Sequence, residues 1–224
     1  MKLRILTIAA VSALAFAGQA LAEDESAISL EGEIGVVSDY RYRGYSLSDE
    51  DPAIQGGLTL NLPHGVYAGV WGSSIADYAG AEIELDLMAG VAFSAGGLDW
   101  DVGVIRYTYP DGVDVDYWEI PVSASKTWGA FTGTASFQYV PEQDNTGNED
   151  NRYFSLAGDY APEAWPVSIN ASVGHEDGAF ADGKLDWSAG VAKAFGPVNF
   201  SLTYADSDGP GAEGVVVAGL LASF

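Results

Sequence analysis

Apolar and polar residues alternate with a period of two along most of this chain, from residue 27 to its end. In the segment 81–93, the odd positions from residue 83 onward are all apolar, and the first three even positions carry carboxylates. A period of two places successive side chains on opposite faces of a strand, whereas a helix would need a spacing of three to four. The sequence therefore predicts an all-β fold with one apolar and one polar face. The same pattern recurs at 28–42, 130–139 and 198–204.

Twelve stretches are candidate strands, and many of them have about ten residues or more. Strands of globular proteins usually have about 5–6 residues, whereas a tilted membrane strand needs about 9–11. The parity of the apolar face changes between Val104 and Ile105, which predicts a β-bulge there. The predicted strands lie near 28–43, 53–62, 66–74, 81–93, 98–109, 115–127, 130–140, 152–160, 167–175, 185–195, 198–206 and 213–224.

Short and long connections alternate between these strands. Outer-membrane barrels have this order, with short periplasmic turns and longer outer loops. An even number of strands would put both termini at the short-turn end. We therefore predict a transmembrane antiparallel up-and-down β-barrel of about twelve strands. The long, acidic connections are 44–52, 75–80, 110–114, 141–151, 176–184 and 207–212.

The first 22 residues have the layout of a secretory signal peptide. Lys2 and Arg4 precede an uncharged, mostly apolar stretch that is too short to span a bilayer. Ala20 and Ala22 supply the small residues that signal peptidase requires, so we expect cleavage before Glu23. The predicted domains are a signal peptide, 1–22, and an outer-membrane barrel, 23–224.

The composition argues against several classes of function. The chain has 9 Lys and Arg against 32 Asp and Glu, and phosphate binding needs clustered bases, so we expect no nucleic-acid partner. There is no cysteine for a nucleophile or a thiolate metal site. His175 has Ser172 nearby, but the two lie on opposite strand faces, so we expect no enzyme. The spacing in the acidic loops does not match an EF-hand, and we expect neither a metal nor a cofactor.

The polar faces would line the inside of the barrel. Charged rings in a pore set its ion preference, and carboxylates outnumber bases on these faces, so an open pore would prefer cations. The same charges could instead pair across the bore and plug it. Twelve strands lie between filled barrels and open porins, so the strand number leaves both open. The predicted pore-lining residues are Glu31, Glu33, Asp39, Arg41, Glu82, Glu84, Asp86, Asp99, Asp101, Arg106 and Glu119, with Arg43 as a further basic candidate.

Aromatic residues mark the ends of the predicted strands. On the apolar faces they predict the two interfacial girdles of a membrane barrel. The chain itself ends in Phe224, on the same strand face as Val216 and Leu220. A terminal aromatic of this kind resembles the tail that the bacterial barrel-assembly machinery recognises, so Phe224 is a predicted assembly signal. The predicted girdle residues are Tyr40, Tyr42, Trp100, Trp118, Phe131, Tyr139, Trp187 and Tyr204.

Several segments resemble the TorF-type porins, which are small proteobacterial outer-membrane proteins. The resemblance covers the whole chain after the signal peptide and is strongest between residues 36 and 120. It implies an outer-membrane β-barrel and a pore. The segments are 37–46 (Val-Ser-Asp-Tyr-Arg-Tyr-Arg-Gly-Tyr-Ser), 51–57 (Asp-Pro-Ala-Ile-Gln-Gly-Gly), 69–73 (Gly-Val-Trp-Gly-Ser), 105–110 (Ile-Arg-Tyr-Thr-Tyr-Pro) and 116–119 (Asp-Tyr-Trp-Glu).

Three interpretations are compatible with the sequence. The first is a porin-like channel in a Gram-negative outer membrane that passes small hydrophilic solutes by diffusion, with a preference for cations. The second is a closed structural or binding barrel whose acidic loops contact an external partner. The third is a secreted soluble β protein, which would carry polar groups on its outer faces. For the membrane barrel, the expected partners are outer-membrane lipids and lipopolysaccharide, the barrel-assembly machinery and small solutes.

Overall fold

The computed structural model describes residues 28–224. The predicted signal peptide, 1–22, lies outside the described residues. Twelve strands form one closed barrel, and two further strands form a short hairpin. Among the described residues, no helix is long and apolar enough to cross a membrane.

The strands are numbered in chain order. The barrel strands are β1 (Ser29–Val37), β4 (Ala53–Asn61), β5 (Val66–Tyr78), β6 (Ala81–Ala95), β7 (Leu98–Thr108), β8 (Tyr117–Trp128), β9 (Phe131–Val140), β10 (Asn151–Tyr160), β11 (Ser168–Gly178), β12 (Ala181–Phe195), β13 (Val198–Ser207) and β14 (Val215–Ser223). The hairpin consists of β2 (Arg41–Tyr42) and β3 (Tyr45–Ser46), and short 3₁₀ turns lie at Pro63–Gly65 and Asp144–Thr146.

Each barrel strand is antiparallel to its neighbours in the chain, and β14 closes the ring by pairing with β1. Glu33 lies opposite Ser223, and Gly32 exchanges two backbone hydrogen bonds with Phe224. Closure leaves no free sheet edge along this seam, as a membrane barrel requires. The predicted all-β, twelve-stranded antiparallel barrel is confirmed.

The outer face of the barrel is apolar. Leu30, Ile54, Leu87 and Leu156 are each at least half exposed, and many other large apolar side chains share this face. Polar side chains such as Glu84 alternate with them and are buried inside the ring. A continuous apolar exterior around a closed barrel is the surface that lipid requires. The protein is thus a barrel of the bacterial outer membrane, and the soluble alternative is excluded.

The two ends of the barrel differ. At one end, here the termini end, β1 begins and β14 finishes, and the connections are mostly short. The opposite end, here the loop end, carries the connections 38–52, 109–116, 141–150 and 208–214. The first of these, residues 38–52, is called the first loop below.

Several details of the sequence prediction are wrong. The predicted loops 75–80 and 176–184 are mostly strand, because β5, β6, β11 and β12 extend until only residues 79–80 and 179–180 form the turns. Register shifts occur in these extensions, at 74–78 and 176–178.

The predicted bulge between Val104 and Ile105 is also absent. Pairing of β7 with β6 continues without a shift from Leu98 to Thr108. Ile105 faces the interior opposite Met88 and is buried there with Tyr117. The sequence pattern changed parity at this point because an apolar side chain occupies an inward position.

Candidate functional site: the barrel lumen

The first loop folds into the lumen instead of extending outward. The first strand was expected to continue to residue 43, but β1 ends at Val37, and the chain then turns inward and forms the β2–β3 hairpin. Arg43 and Gly44 both have positive φ, 48° and 87°. A Cβ at Gly44 would lie 2.6 Å from the Cβ of Ser207, so only glycine lets the hairpin approach β13 this closely.

Arg43 lies at the tip of this hairpin and contacts side chains from four barrel strands. Its Nη2 lies 2.5 Å from Glu119 Oε2 on β8, and its Nη1 lies 2.6 Å from Glu176 Oε1 on β11. Nη2 also donates to Gln138 Oε1 on β9 at 2.6 Å. The guanidinium carbon stacks 4.3 Å from the ring centroid of Tyr153 on β10. The hairpin is therefore fastened across the bore by charge-assisted contacts.

These contacts are dry. Arg43 is 3% exposed and Glu119 is fully buried. Burial alone would lower the pKa of Arg43, but the carboxylates of Glu119 and Glu176 raise that pKa well above its usual value. The guanidinium therefore stays charged, and its two carboxylate partners neutralise it. Removing one partner of such a buried ion pair lowers stability strongly, because the other charge stays buried without its partner.

Further groups complete the network around Arg43. Lys184 Nζ lies 2.8 Å from Glu176 Oε2 and donates to the Arg43 carbonyl oxygen. Tyr107 Oη donates to Glu119 Oε1 at 3.1 Å. Tyr107 also lies 3.2 Å from the hydroxyl of Tyr42 in the hairpin.

The first loop has a second anchor on the β5–β6 side of the lumen. Tyr40 Oη donates to Glu84 Oε1 at 2.7 Å, and the Tyr40 ring packs against Trp71. Burial and the nearby carboxylates Glu84 and Asp86 raise the pKa of Tyr40 well above its usual value, so its phenol remains a neutral donor. Tyr40 and Trp71 belong to a cluster of buried apolar and aromatic side chains in this part of the lumen. Its apolar members include Val37, Ala53, Met88, Ile105, Val140 and Val217.

The termini-end half of the lumen has a different lining. Its inward positions carry small polar side chains and five carboxylates. Tyr67 Oη donates to Asp101 there, and Ser172 and Ser188 share a hydrogen bond. The small polar residues include Thr59, Ser123, Thr134, Ser155, Asn170, Ser188, Ser201 and Thr203, and the carboxylates are Glu31, Glu33, Asp99, Asp101 and Asp159.

Several buried polar atoms in this half have no partner within the described protein. They belong to Asp101, Asp159, Asn170, Asn199 and Thr203. Buried polar groups in folded proteins are satisfied by protein or by water. Within residues 28–224, six of the nine unpartnered buried atoms lie in the termini-end half, and the other three, Arg43 Nε, Asp86 Oδ1 and Asp186 Oδ2, lie in the loop-end half.

Basic side chains are confined to the loop end or to the outer face. Within residues 28–224, none of the lysine and arginine side chains lines the termini-end half of the lumen. Arg41, Arg43 and Lys184 lie in the loop-end half. The outward positions belong to Arg106, Lys126, Arg152 and Lys193.

Except for Arg106, the predicted pore-lining residues lie along the bore or at its loop-end rim. The buried ones in the loop-end half are Asp39, Arg41, Glu84, Asp86 and Glu119, and Asp101 is buried in the termini-end half. Glu31, Glu33 and Asp99 occupy inward positions nearer the termini end, and Glu82 is exposed at the loop-end rim.

Other predicted placements need correction. Arg106 lies on the outer face opposite Trp118, where it pairs with Asp116 at 3.2 Å, because β7 keeps its parity past Val104. Tyr40 and Tyr42 do not belong to a girdle, because β1 ends before them and the first loop carries both into the lumen.

Two residues of the network were not assigned to the lumen from the sequence. Glu176 was expected in an outer acidic loop, and Lys184 was not singled out. The sequence does contain a pattern that places both residues in the lumen, because they continue the even-numbered inward positions of β11 and β12. His175 faces outward and Ser172 inward, as the strand geometry predicts.

No cluster of three or more His, Asp or Glu that could hold a metal ion occurs among residues 28–224. The cavity of about 420 Å³ between the 109–116 loop and Asn145 is lined by Arg106 and three aspartates at the outer rim.

Solved outer-membrane channels share this fold. The KdgM porin superposes with a TM-score of 0.61 at 5% identity, over 88% of this chain and 99% of that chain. The COG4313 outer membrane channel from Pseudomonas putida F1 gives 0.55 at 13% identity, over 90% and 98% of the two chains. The NanC porin gives 0.52 at 8% identity, over 87% and 98%. At such identities the likeness establishes the fold alone.

The sequence comparisons define the family. No curated protein matches the chain. The family model that matches the chain does not carry the name of the TorF-type porins, so that resemblance is not confirmed. One family model matches residues 21–218, which is most of the chain. The chain therefore belongs to the family described as "Bacterial protein of unknown function (Gcw_chp)".

Proposed function

We propose that this protein is a porin-like channel for small hydrophilic solutes, with the first loop as its constriction. The observation that carries the proposal is the lining of the termini-end half, which is polar, acidic and rich in unpartnered buried atoms. A filled structural barrel would close its interior with interlocking side chains. Here the first loop crosses the loop-end half and is fastened there by the contacts of Arg43.

A preference for cations follows from the charge distribution. Five carboxylates and no base lie at inward positions of the termini-end half within residues 28–224. Two unit charges about 4 Å apart interact by ~1 kcal/mol in water and by ~4 kcal/mol at an effective dielectric of 20. A narrow acidic bore therefore concentrates cations and repels anions. Glu31, Glu33, Asp99 and Asp101 are the predicted pore-lining residues that supply this field.

The direction of the barrel follows from the outer-membrane rule. Short turns of such barrels face the periplasm and long loops face outward. The acidic half is then the periplasmic vestibule, and the first loop narrows the extracellular side. The acidic loops around it would face the lipopolysaccharide layer.

The experiment is a planar-bilayer recording of the purified full-length barrel in a salt gradient. We expect a small single-channel current and a reversal potential directed by cations. The variant Asp99→Asn/Asp101→Asn should reduce that potential, whereas the control Asp144→Asn/Glu149→Gln, in the 141–150 loop, should leave it nearly unchanged. An anion-directed potential, or equal shifts in both variants, contradicts the proposal.

A second candidate is a closed structural or binding barrel, which the contacts of Arg43 favour. The ion pairs of Arg43 reach β8 and β11 and fasten the hairpin across the bore. The same recording separates the two candidates. A closed barrel gives no current in the wild type and conducts only when the contacts of Arg43 are removed.

Phe224 is proposed as the assembly signal. It pairs with Gly32 at the seam, and its ring covers the space where a Gly32 side chain would lie. Its side chain is exposed on the outer face. Deleting Phe224 should lower the amount of folded protein in the outer membrane and leave precursor in the periplasm. Wild-type amounts of heat-modifiable barrel in the deletion variant contradict this role.

A further inference from the structure

One row of inward residues in the termini-end half stands apart from its neighbours. It runs around the wall through Asp159 on β10, Asn170 on β11, Gly190 on β12 and Thr203 on β13, and each is the register partner of the next. Asn170 is 4% exposed and Thr203 is 1% exposed. Four of their polar atoms have no hydrogen-bond partner within the described protein: Asp159 Oδ1, both Asn170 amide atoms and Thr203 Oγ1.

The rows on either side are satisfied. Toward the loop end, Ser172 and Ser188 are 2.8 Å apart and hydrogen-bonded. Toward the termini end, Ser168 Oγ donates to the Ala192 carbonyl oxygen at 3.5 Å. On β10 to β13, four of the six unpartnered atoms lie in this row, and the other two belong to Asn199, nearer the termini end, and Asp186, nearer the loop end.

Gly190 lets two side-chain oxygens approach the backbone closely at the centre of the row. A Cβ there would lie 2.5 Å from Thr203 Oγ1 and 3.0 Å from Asn170 Oδ1. Both oxygens thus lean over the glycine from opposite sides. The carboxylate of Asp159 follows in register beside Asn170. The result is an oxygen-lined niche with a glycine floor, here called the Gly190 niche.

We propose that the Gly190 niche binds the ammonium group of a small organic amine within the lumen. This inference rests on the proposed channel function and names a class of solute for it. An alkylammonium supplies up to three N–H donors and a positive charge. The niche supplies a carboxylate oxygen, an amide oxygen and a hydroxyl oxygen. Charge-assisted hydrogen bonds to a carboxylate are about twice as strong as neutral ones. The absence of lysine and arginine from this half of the described lumen leaves the carboxylate for a solute.

The charge of the niche selects among ligands. An anion would face Asp159 with no base on the same wall, and its binding is disfavoured. A neutral polyol could use the amide and the hydroxyl but would gain nothing from the carboxylate. The amine can use the oxygens of the niche and also gains from the charge of the carboxylate. Its apolar chain can extend along the bore, past Ala157 toward the loop end or past Ala192 toward the termini end.

The test is isothermal titration calorimetry of putrescine into the folded, detergent-solubilised barrel, with 1,4-butanediol as an uncharged ligand of the same length. We expect putrescine to bind and the diol not to bind. Asp159→Asn should weaken putrescine binding about tenfold. Thr203→Val keeps the shape and charge but removes one hydrogen bond, and should weaken binding about threefold. Asp144→Asn, in the 141–150 loop, is the charge-matched control and should change binding less than twofold. Asp101→Asn, three strands from Asp159, removes one charge of the general acidic field and should weaken binding less than Asp159→Asn does.

Each alternative result overturns the proposal. Equal losses in Asp101→Asn and Asp159→Asn would indicate only the general acidic field. No binding by the wild type would indicate that water alone satisfies the niche. The calorimetry does not require conduction, so it separates this inference from the channel function. Binding that is lost in Asp159→Asn, without any bilayer current, would sustain the niche and contradict the channel. Cation-selective current without putrescine binding would support the channel and contradict the niche.

Discussion

The two halves of the lumen are built from the same strands but have opposite characters. In the loop-end half, Arg43, Glu119 and Glu176 form a dry, charged network that a loop completes. In the termini-end half, the same alternation presents short hydroxyls and carboxylates, and most of the unpartnered buried atoms of the described residues lie there. The strand number is identical in both halves. The difference shows that a loop, rather than the size of the ring, decides where a twelve-stranded barrel is closed.

The largest effect is expected from Arg43→Met. The substitution leaves Glu119 and Glu176 buried without Arg43, and breaking one side of a buried ion pair costs about 3–5 kcal/mol. We expect the free energy of unfolding of the reconstituted barrel to fall by that order in urea titrations, and the single-channel current to rise because the first loop is released. Lys184 still pairs with Glu176, so the loss of stability should arise mainly from the buried carboxylate of Glu119.

The matched control is Arg152→Met. Arg152 pairs with Asp150 on the outer face, where its side chain is 60% exposed. It should alter neither the unfolding free energy nor the current measurably, because exposed ion pairs contribute little. Similar effects of both substitutions would contradict the assignment of the Arg43 network as the constriction.

A pair of tyrosines sharpens the contrast between dry and wet halves. Tyr40 donates to buried Glu84 in the loop-end half, and Tyr67 donates to Asp101 in the termini-end half. Tyr40→Phe leaves a buried carboxylate oxygen short of its donor, which costs about 1–3 kcal/mol. In Tyr67→Phe, water replaces the lost donor, so the cost should stay near or below about 0.5 kcal/mol. Unfolding free energies of the two variants measure the difference, and equal costs would mean that the halves are equally dry.

The smallest effect concerns selectivity. Glu84→Gln/Asp86→Asn removes two carboxylates beneath the first loop, whereas Asp99→Asn/Asp101→Asn removes two from the acidic half. Because charges on the hydrated path act on every passing ion, we expect the second variant to shift the reversal potential more. A larger shift in the first variant would place the conducting path beside the first loop and reverse the comparison.

The strands and their inward faces were accessible from the sequence, but the conformation of the first loop was not. Alternation predicted the ring, its closure and the inward positions of Glu84, Asp86 and Glu119, since a period of two depends only on local geometry. The same reasoning extended β1 to residue 43 and put Tyr40 and Tyr42 among the outward aromatics. Their true positions depend on contacts with strands far along the chain.

Lumen partners were hard to predict for the same reason. Glu176 follows Arg43 by more than a hundred residues, and nothing in either local segment identifies the other. The Gly190 niche likewise exists only because register places Asn170, Gly190 and Thr203 side by side. The predicted change of parity at Ile105 was wrong because an apolar residue can face the lumen where the first loop fills it.

The most direct test uses the absence of cysteine from the chain. Single cysteines are introduced at Ser123, inward in the termini-end half, and at Ala53, inward in the loop-end half and 0% exposed. A small, membrane-impermeant methanethiosulfonate reagent is then applied to the folded, reconstituted barrel, and modification is followed by mass spectrometry. The account predicts that Ser123→Cys reacts readily, and that Ala53→Cys is protected until Arg43→Met is added. Protection at both positions, or equal reactivity at both without Arg43→Met, would contradict the division of the lumen into a hydrated half and a loop-closed half.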